Sequence, residues 1–254
     1  MIELVGLSYS PWTEKARWAL EHHSVSFRYV EHMPMVGELA LRWRVGRPTG
    51  KATVPVLSTP GGPVTDSLAI AEYAEHQGRG ARLFPAGKRG AIAQWNARSE
   101  SLLAAARGLV VARTARNEGA LAEALPGFVP PNLRRRLAFV AATGTAFFRW
   151  KYRLDAEGEE PRRAAVAAEL RALREGLAGR PYLRGGFTYA DIAMAVTLQV
   201  VRPVADEHWH LRPNTREAWG DPALAPDFAD LLDWRDALFA RHRTPSLTDL
   251  RPAA

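Results

Sequence analysis

The 254-residue chain contains no cysteine. Disulfides, thiolate metal ligands and any protein-thiol nucleophile are therefore excluded. Lysine is nearly missing as well: only Lys15, Lys51, Lys88 and Lys151 occur among 34 basic residues, the rest being arginine. The net charge of +7 invites a nucleic-acid reading. The arginines are nevertheless spread along the whole chain and interleaved with acids, and only Arg134, Arg135 and Arg136 form a run. That pattern is a solvated, charge-mixed surface, and no nucleic-acid partner is expected. Long hydrophobic runs are also lacking. The longest, Ala138 to Phe148, is interrupted by Thr143, Gly144 and Thr145 and is too short for a bilayer, so no membrane role is expected. The opening MIELVGL has no basic segment leading into an apolar core, so a cytoplasmic location is expected.

What remains is the balance of a folded protein, 47% apolar and 24% charged, with a length that suits two domains sharing a boundary. The first part alternates in type. Ile2 to Leu7 has strand length, and Pro11 to about His23 has helical spacing. Ser26 to His32 alternates as a strand, and a short helix is predicted around Glu38 to Arg44. Val54 to Ser58 reads as a strand, Pro60-Gly61-Gly62-Pro63 as a hairpin turn, Val64 as the start of the return strand, and Ser67 to about His76 as a helix. The order is that of a small mixed sheet with helices on its faces. Gly78 to Gly90 is dense in Gly, Arg and Pro and reads as a linker. Helices are predicted over Ala91–Arg116, Asn132–Arg153, Arg162–Leu177, Tyr189–Val201 and Asp227–Arg241, without a comparable strand signal, giving an all-helical bundle. Residues 1–80, 81–90 and 91–254 are therefore expected to form an α/β domain, a linker and an all-α domain.

Three short segments could carry chemistry. Ser10 stands at a helix start with Pro11 in the favoured first position, where N–H groups and the helix dipole favour an anion. A ligand thiolate placed there could accept a hydrogen bond from the Ser10 hydroxyl, which would lower the thiol pKa. The plain alternative is that Ser10 caps its own helix. Pro55 lies inside a strand pattern and belongs at a sheet edge, where Val54 could pair its backbone with an extended peptide. Asp66-Ser67 places an acid and a hydroxyl at another helix start, able to hold an amino-acid zwitterion or simply to cap.

Taken in order, SPWTEKARWAL, VPVL and DSLAIAEYAE resemble the thioredoxin-like, glutathione-binding domain of the cytosolic glutathione S-transferases. Downstream, GRPYLRGGFTYADIAMAV resembles the same family's helical-domain motif. Thr188 and Asp191 there form a capping box, and Phe187 can staple to Ile192. The resemblance implies a thioredoxin-like N-terminal domain followed by an all-α domain, and a transferase that joins the glutathione thiolate to a small apolar electrophile. Ser10 would be the catalytic hydroxyl of a serine-type, bacterial-like enzyme. Val54 would pair with the cysteinyl unit of glutathione, Pro55 would be cis, and Asp66 and Ser67 would hold the γ-glutamyl end. Thr53 stands where serine-type relatives often carry a basic residue, leaving Lys51 as the cation for the glycyl carboxylate. Trp12, in place of a smaller aromatic, would line the electrophile pocket with Ala104, Gly108 and Val111. A homodimer is expected from the family.

Two other functions fit the same residues. One is an isomerase, dehalogenase or ether-cleaving enzyme that uses glutathione. The other is a binding or scaffold protein of the same fold without turnover. His208-Trp209-His210 lacks a third ligand at metal spacing, so no metal is expected. Trp43, Trp95, Trp150 and Trp234 are expected in the core, and Arg17 in a structural ion pair.

Overall fold

The structure, a computed structural model, describes residues 1–47, 49–125, 129–134, 136, 138–154 and 158–243. Four strands form one sheet in the order β2-β1-β3-β4: β1 (Glu3–Gly6), β2 (Arg28–Glu31), β3 (Val56–Thr59) and β4 (Gly62–Thr65). β1 runs parallel to β2 and antiparallel to β3, and β3 pairs antiparallel with β4. Leu4 lies opposite Leu57, and Val5 opposite Val56. The period of two then sorts these residues onto opposite faces. Leu4 and Leu57 meet Ala16 and Leu20 of α1 (Pro11–His22) and Ile70 and Ala74 of α3 (Ser67–Gln77). Val5 and Val56 meet Leu41 of α2 (Glu38–Arg44) on the other side.

This is the small mixed sheet with helices on both faces that the alternation predicts, and the thioredoxin-like arrangement that the resemblance implies. β1 and β2 are shorter than predicted, β3 is shifted to end at Thr59, and β4 begins at Gly62, inside the turn predicted over Pro60 to Pro63 rather than at Val64. Val54 and Pro55 precede β3 rather than lying within it, and their peptide bond is cis, as expected. At the end of β1 the chain passes so close to α1 that a Cβ on Gly6 would stand 2.3 Å from Thr13 Cγ2.

The second half is helical: α4 (Arg89–Arg116), α5 (Glu118–Glu123), α6 (Pro131–Arg134), α7 (Ala138–Tyr152), α8 (Glu159–Leu177), α9 (Tyr189–Thr197), α10 (Pro213–Trp219) and α11 (Ala229–His242). The single helix predicted over Asn132–Arg153 is divided into α6 and α7. Helices α5 and α10, of six and seven residues, give too few turns for a periodic pattern and were not read. Most of the tail after α11 lies outside the described residues. No helix among them is long and apolar enough to cross a membrane.

The Gly-rich segment after α3 is not a loose tether. Leu83 and Phe84 are buried, their N–H groups donate to Glu75 Oε2 at 2.6 and 2.8 Å, and Tyr189 N donates to Leu83 O at 3.0 Å. One apolar cluster runs through Trp18 and Ala19 of α1, Ala71 of α3, and the inner faces of α4, α8, α9 and α11. Of the four tryptophans expected in the core, Trp95 and Trp234 pack against this cluster. Trp43 and Trp150 are 68% and 76% exposed, which corrects that reading. Both lie on outward faces, Trp43 on a short helix that buries only Leu41.

Candidate functional site

Helix α1 is buried almost throughout, charges included, because it lies between the sheet and the helical half. Each of these charges has a partner. Lys15 is fully buried and donates to Ser99 Oγ at 2.8 Å and Glu100 Oε1 at 2.9 Å. Burial pushes the Lys15 pKa down, and the Glu100 carboxylate pulls back the other way. Arg17 pairs with Glu21 one turn on, the structural ion pair expected of it. Arg243, just past α11, closes on Glu14 at 2.7 Å and on Glu21.

Ser10 is the N-cap of this helix, 7% exposed, with φ −88° and ψ 125°. Its backbone is fully engaged: Ser10 N donates to Leu7 O, and Ser10 O accepts from Glu14 N. Its hydroxyl makes no capping bond. The capping alternative for Ser10 is therefore not what the structure contains. The loop before it is held from both halves: Ser8 N donates to Glu31, and Ser8 O accepts from Trp209 Nε1 at 2.8 Å. Burial also holds Tyr9 well above the usual phenol pKa, so this neighbour of Ser10 stays a neutral donor.

Val54 is half-buried beside the sheet. Neither its N–H nor its C=O makes a hydrogen bond to any described residue. This backbone is open to an extended partner, which fits a peptide ligand. At the start of α3 the cap is Asp66, not Ser67. Asp66 takes φ +82°, a region L-residues rarely occupy, while one carboxylate oxygen accepts from Leu68 N at 2.8 Å. Ser67 is the first helical residue and is 1% exposed, and its hydroxyl lies on the buried side of α3. Next to the sheet edge, a pocket of roughly 200 Å³ is lined by Val45, Arg47, Lys51, Ala52, Thr53, Pro63 and Thr65. It supplies a second cation, Arg47, that spacing alone did not reveal. Lys51 Nζ donates to Lys151 O of α7 at 3.3 Å, so its stem reaches toward the helical half.

Two residues after Ser10, Trp12 Nε1 donates to Glu100 Oε2 at 2.5 Å. Arg107 lies over the Trp12 ring, 4.4 Å from its centroid, and over Tyr152, 3.8 Å away. Glu100, Ala104, Arg107 and Val111 follow i, i+4, i+7 and i+11, one stripe along α4. Ala104 on it is exposed and Val111 half-buried, consistent with a cleft. Gly108 is one position off this stripe and packs on α8. A Cβ there would stand 2.7 Å from Arg162 Cδ and Nε. Gly108 thus serves helix packing, and Arg107, which periodicity alone did not mark, holds the side facing Trp12. No group of three or more His, Cys, Asp or Glu that could hold a metal occurs among the described residues.

Comparison with known proteins bears on the N-terminal part. Residues 9–77 match the glutathione S-transferase N-terminal domain, a stretch containing Ser10, Val54, Pro55, Asp66 and Ser67. The N-terminal part of the chain, residues 9–77, belongs to the glutathione S-transferase N-terminal domain family. A probable glutathione S-transferase of Nicotiana tabacum is 33% identical over 85 residues, which are 33% of this chain and 36% of that protein. The matched stretch thus spans about a third of that relative's length. Solved glutathione S-transferases share the fold over nearly the whole chain. That of Methylobacillus flagellatus, with GSH bound, is 20% identical with a TM-score of 0.57 over 97% of this chain and 100% of its own. GSTFuA2 of Phanerochaete chrysosporium is 20% identical with a TM-score of 0.62 over 96% and 99%. A Methylobacterium radiotolerans enzyme in complex with glutathione sulfonate is 18% identical with a TM-score of 0.60 over 100% and 99%. At these identities the family likeness rests on the N-terminal match, and the solved structures show the fold alone.

Proposed function

We propose that the protein is a serine-type glutathione transferase that uses Ser10 to hold the glutathione thiolate. The observation that carries this reading is the Ser10 hydroxyl, on a largely buried residue at the start of a twelve-residue helix and not used to cap it. A donor so placed stabilises a sulfur anion together with the helix dipole, and every unit of thiol pKa lowered corresponds to about 1.4 kcal/mol. The unpaired backbone of Val54 receives the cysteinyl unit as an added strand. The exposed carboxylate of Asp66 takes the γ-glutamyl ammonium, and the N–H groups opening α3 take its carboxylate. Ser67 contributes its backbone there, since its hydroxyl faces inward. Lys51 and Arg47 supply positive charge for the glycyl carboxylate.

The electrophile then lies between Ser10, Trp12 and the exposed stripe of α4. Sulfur attacks it while Ser10 retains its proton and serves only as donor. Rate enhancement comes from thiolate population and alignment. Calorimetric titration with glutathione tests the first step and should give saturable one-site binding with a lowered thiol pKa by ultraviolet difference absorbance. Absence of both binding and retention on immobilised glutathione would overturn the reading. Product analysis then separates conjugation, in which glutathione is consumed, from an isomerase that regenerates it.

A further inference from the structure

We propose that Arg107 binds an anionic group of the second substrate, so that the electrophile carries a carboxylate beside its apolar reacting part. This rests on the transferase reading above and names the substrate class for the same site.

The inference begins with the charges between the two halves. Lys15, Arg17 and Arg243 are all buried, and each has a carboxylate within hydrogen-bond reach. Arg107 is the exception. No described residue accepts a hydrogen bond from it or forms an ion pair with it, although five N–H donors are fixed on its guanidinium. The carboxylate closest in sequence on its stripe is Glu100, and both of its oxygens are taken, one by Trp12 and one by Lys15. Tyr152 and Trp12 cover Arg107 with aromatic rings, which attract the cation and accept no in-plane hydrogen bond. Burial works against the charged form. The side chain is thus held in position, with its donors left for an acceptor the fold does not provide.

Its location fixes which ligand would meet those donors. Trp12 is two residues from Ser10, and Ala104, three residues before Arg107 on the same stripe, is exposed. A ligand over that stripe has its reacting part toward Ser10 and its acceptor toward Arg107. A guanidinium edge suits a carboxylate, which it grips through two parallel bonds. Arg107 is in this sense a binding residue for the electrophile and takes no part in bond making.

The test compares 4-chloro-3-nitrobenzoate with its methyl ester. In both, the glutathione sulfur–carbon bond forms as the carbon–chlorine bond breaks, and chloride leaves with the electron pair. The acid carries the anion and the ester does not, and their unequal intrinsic reactivity cancels when the ratio of the two is compared between variant and parent. In Arg107→Gln the ratio of kcat/KM for the acid to that for the ester should fall roughly tenfold, chiefly through KM of the acid, and Arg107→Lys should recover part of it. A ratio that moves less than about twofold would mean that Arg107 is only a packing latch between Trp12 and Tyr152, which overturns the proposal. If the unaltered protein turns over neither compound, the transferase reading is judged separately, by glutathione binding and retention. Arg107 is then decided by calorimetry with 4-nitrobenzoate and 4-nitrobenzamide on the glutathione-saturated protein, or on the protein alone if it takes no glutathione. A tenfold preference for the benzoate that disappears in Arg107→Gln supports the proposal. Equal affinities in the unaltered protein overturn it.

Discussion

Two helix starts in this molecule look alike in sequence and behave in opposite ways. α9 begins with Thr188 and α1 with Ser10, each a hydroxyl residue at the cap and each buried. At α9 the box is closed. Asp191 accepts from Thr188 N at 2.8 Å, from Thr188 Oγ1 at 2.9 Å and from Leu183 N at 2.8 Å. At α1 the Ser10 hydroxyl closes nothing. A completed cap is a folding device. An uncompleted one, kept buried by its neighbours, leaves a donor for a ligand.

The contrast is broken most forcefully at Asp191. Replacing Asp191 by Ala strands three buried donors, and unfolding stability should drop by about 3 kcal/mol or more in denaturant melts. A loss under about 1 kcal/mol would mean that the box is ornamental. At Ser10 the effect should appear in a different observable. Ser10→Ala is expected to slow conjugation about 10- to 100-fold, the worth of a hydrogen bond to a charged sulfur, with stability within about 0.5 kcal/mol of the parent. Glutathione affinity should hardly change. A rate equal to the parent's would remove Ser10 from the mechanism, and a large stability loss would return it to the capping role.

Along α4 the same distinction separates neighbours. Gly108→Ala forces a methyl against the buried Arg162 side chain and should destabilise by about 1–3 kcal/mol, read as a lowered midpoint in urea. The smallest effect is expected at a third helix start. α10 is closed from outside by Glu123, which accepts four hydrogen bonds from Asn214 and Thr215. Burial alone would push the Glu123 carboxyl up, but those bonds outweigh it and hold its pKa below the ordinary value. A lowered carboxyl pKa contributes stability that is present above the unfolded-state value and lost as pH falls through the folded one. Melting temperature followed from neutral pH to about 3 should therefore fall less steeply for Glu123→Gln than for the parent. Parallel curves would remove the charge from the cap.

Much of this was legible in the sequence because it is local. Pro11 after Ser10, the Pro60 to Pro63 turn, and Thr188 with Asp191 three residues on all act within one turn of chain. The helices they start lie where the pattern placed them, and the hairpin forms with a tighter turn, its return strand beginning at Gly62. What escaped depends on long-range partners. Arg107 has no periodic mark, and its position is defined by Trp12, 95 residues earlier, and Tyr152, 45 residues later. Gly108 reads as lining of the electrophile pocket until Arg162 is placed beside it. Asp66 and Ser67 exchange roles because a cap is a matter of backbone dihedral, and φ +82° on an aspartate has no sequence signature.

The seam along α1 has a further consequence for anyone who would re-engineer this chain. Trp209 holds the carbonyl of Ser8, His242 offers its carbonyl to Trp18, Ser99 and Glu100 receive Lys15, and Arg243 neutralises Glu14. All of these groups on the N-terminal side are answered by residues from the helical side. The first 80 residues are thus not a detachable module. A transplant carrying them alone would arrive with a buried lysine, a glutamate and an indole N–H that the recipient must answer anew, and with the segment leading into Ser10 missing one of its two moorings.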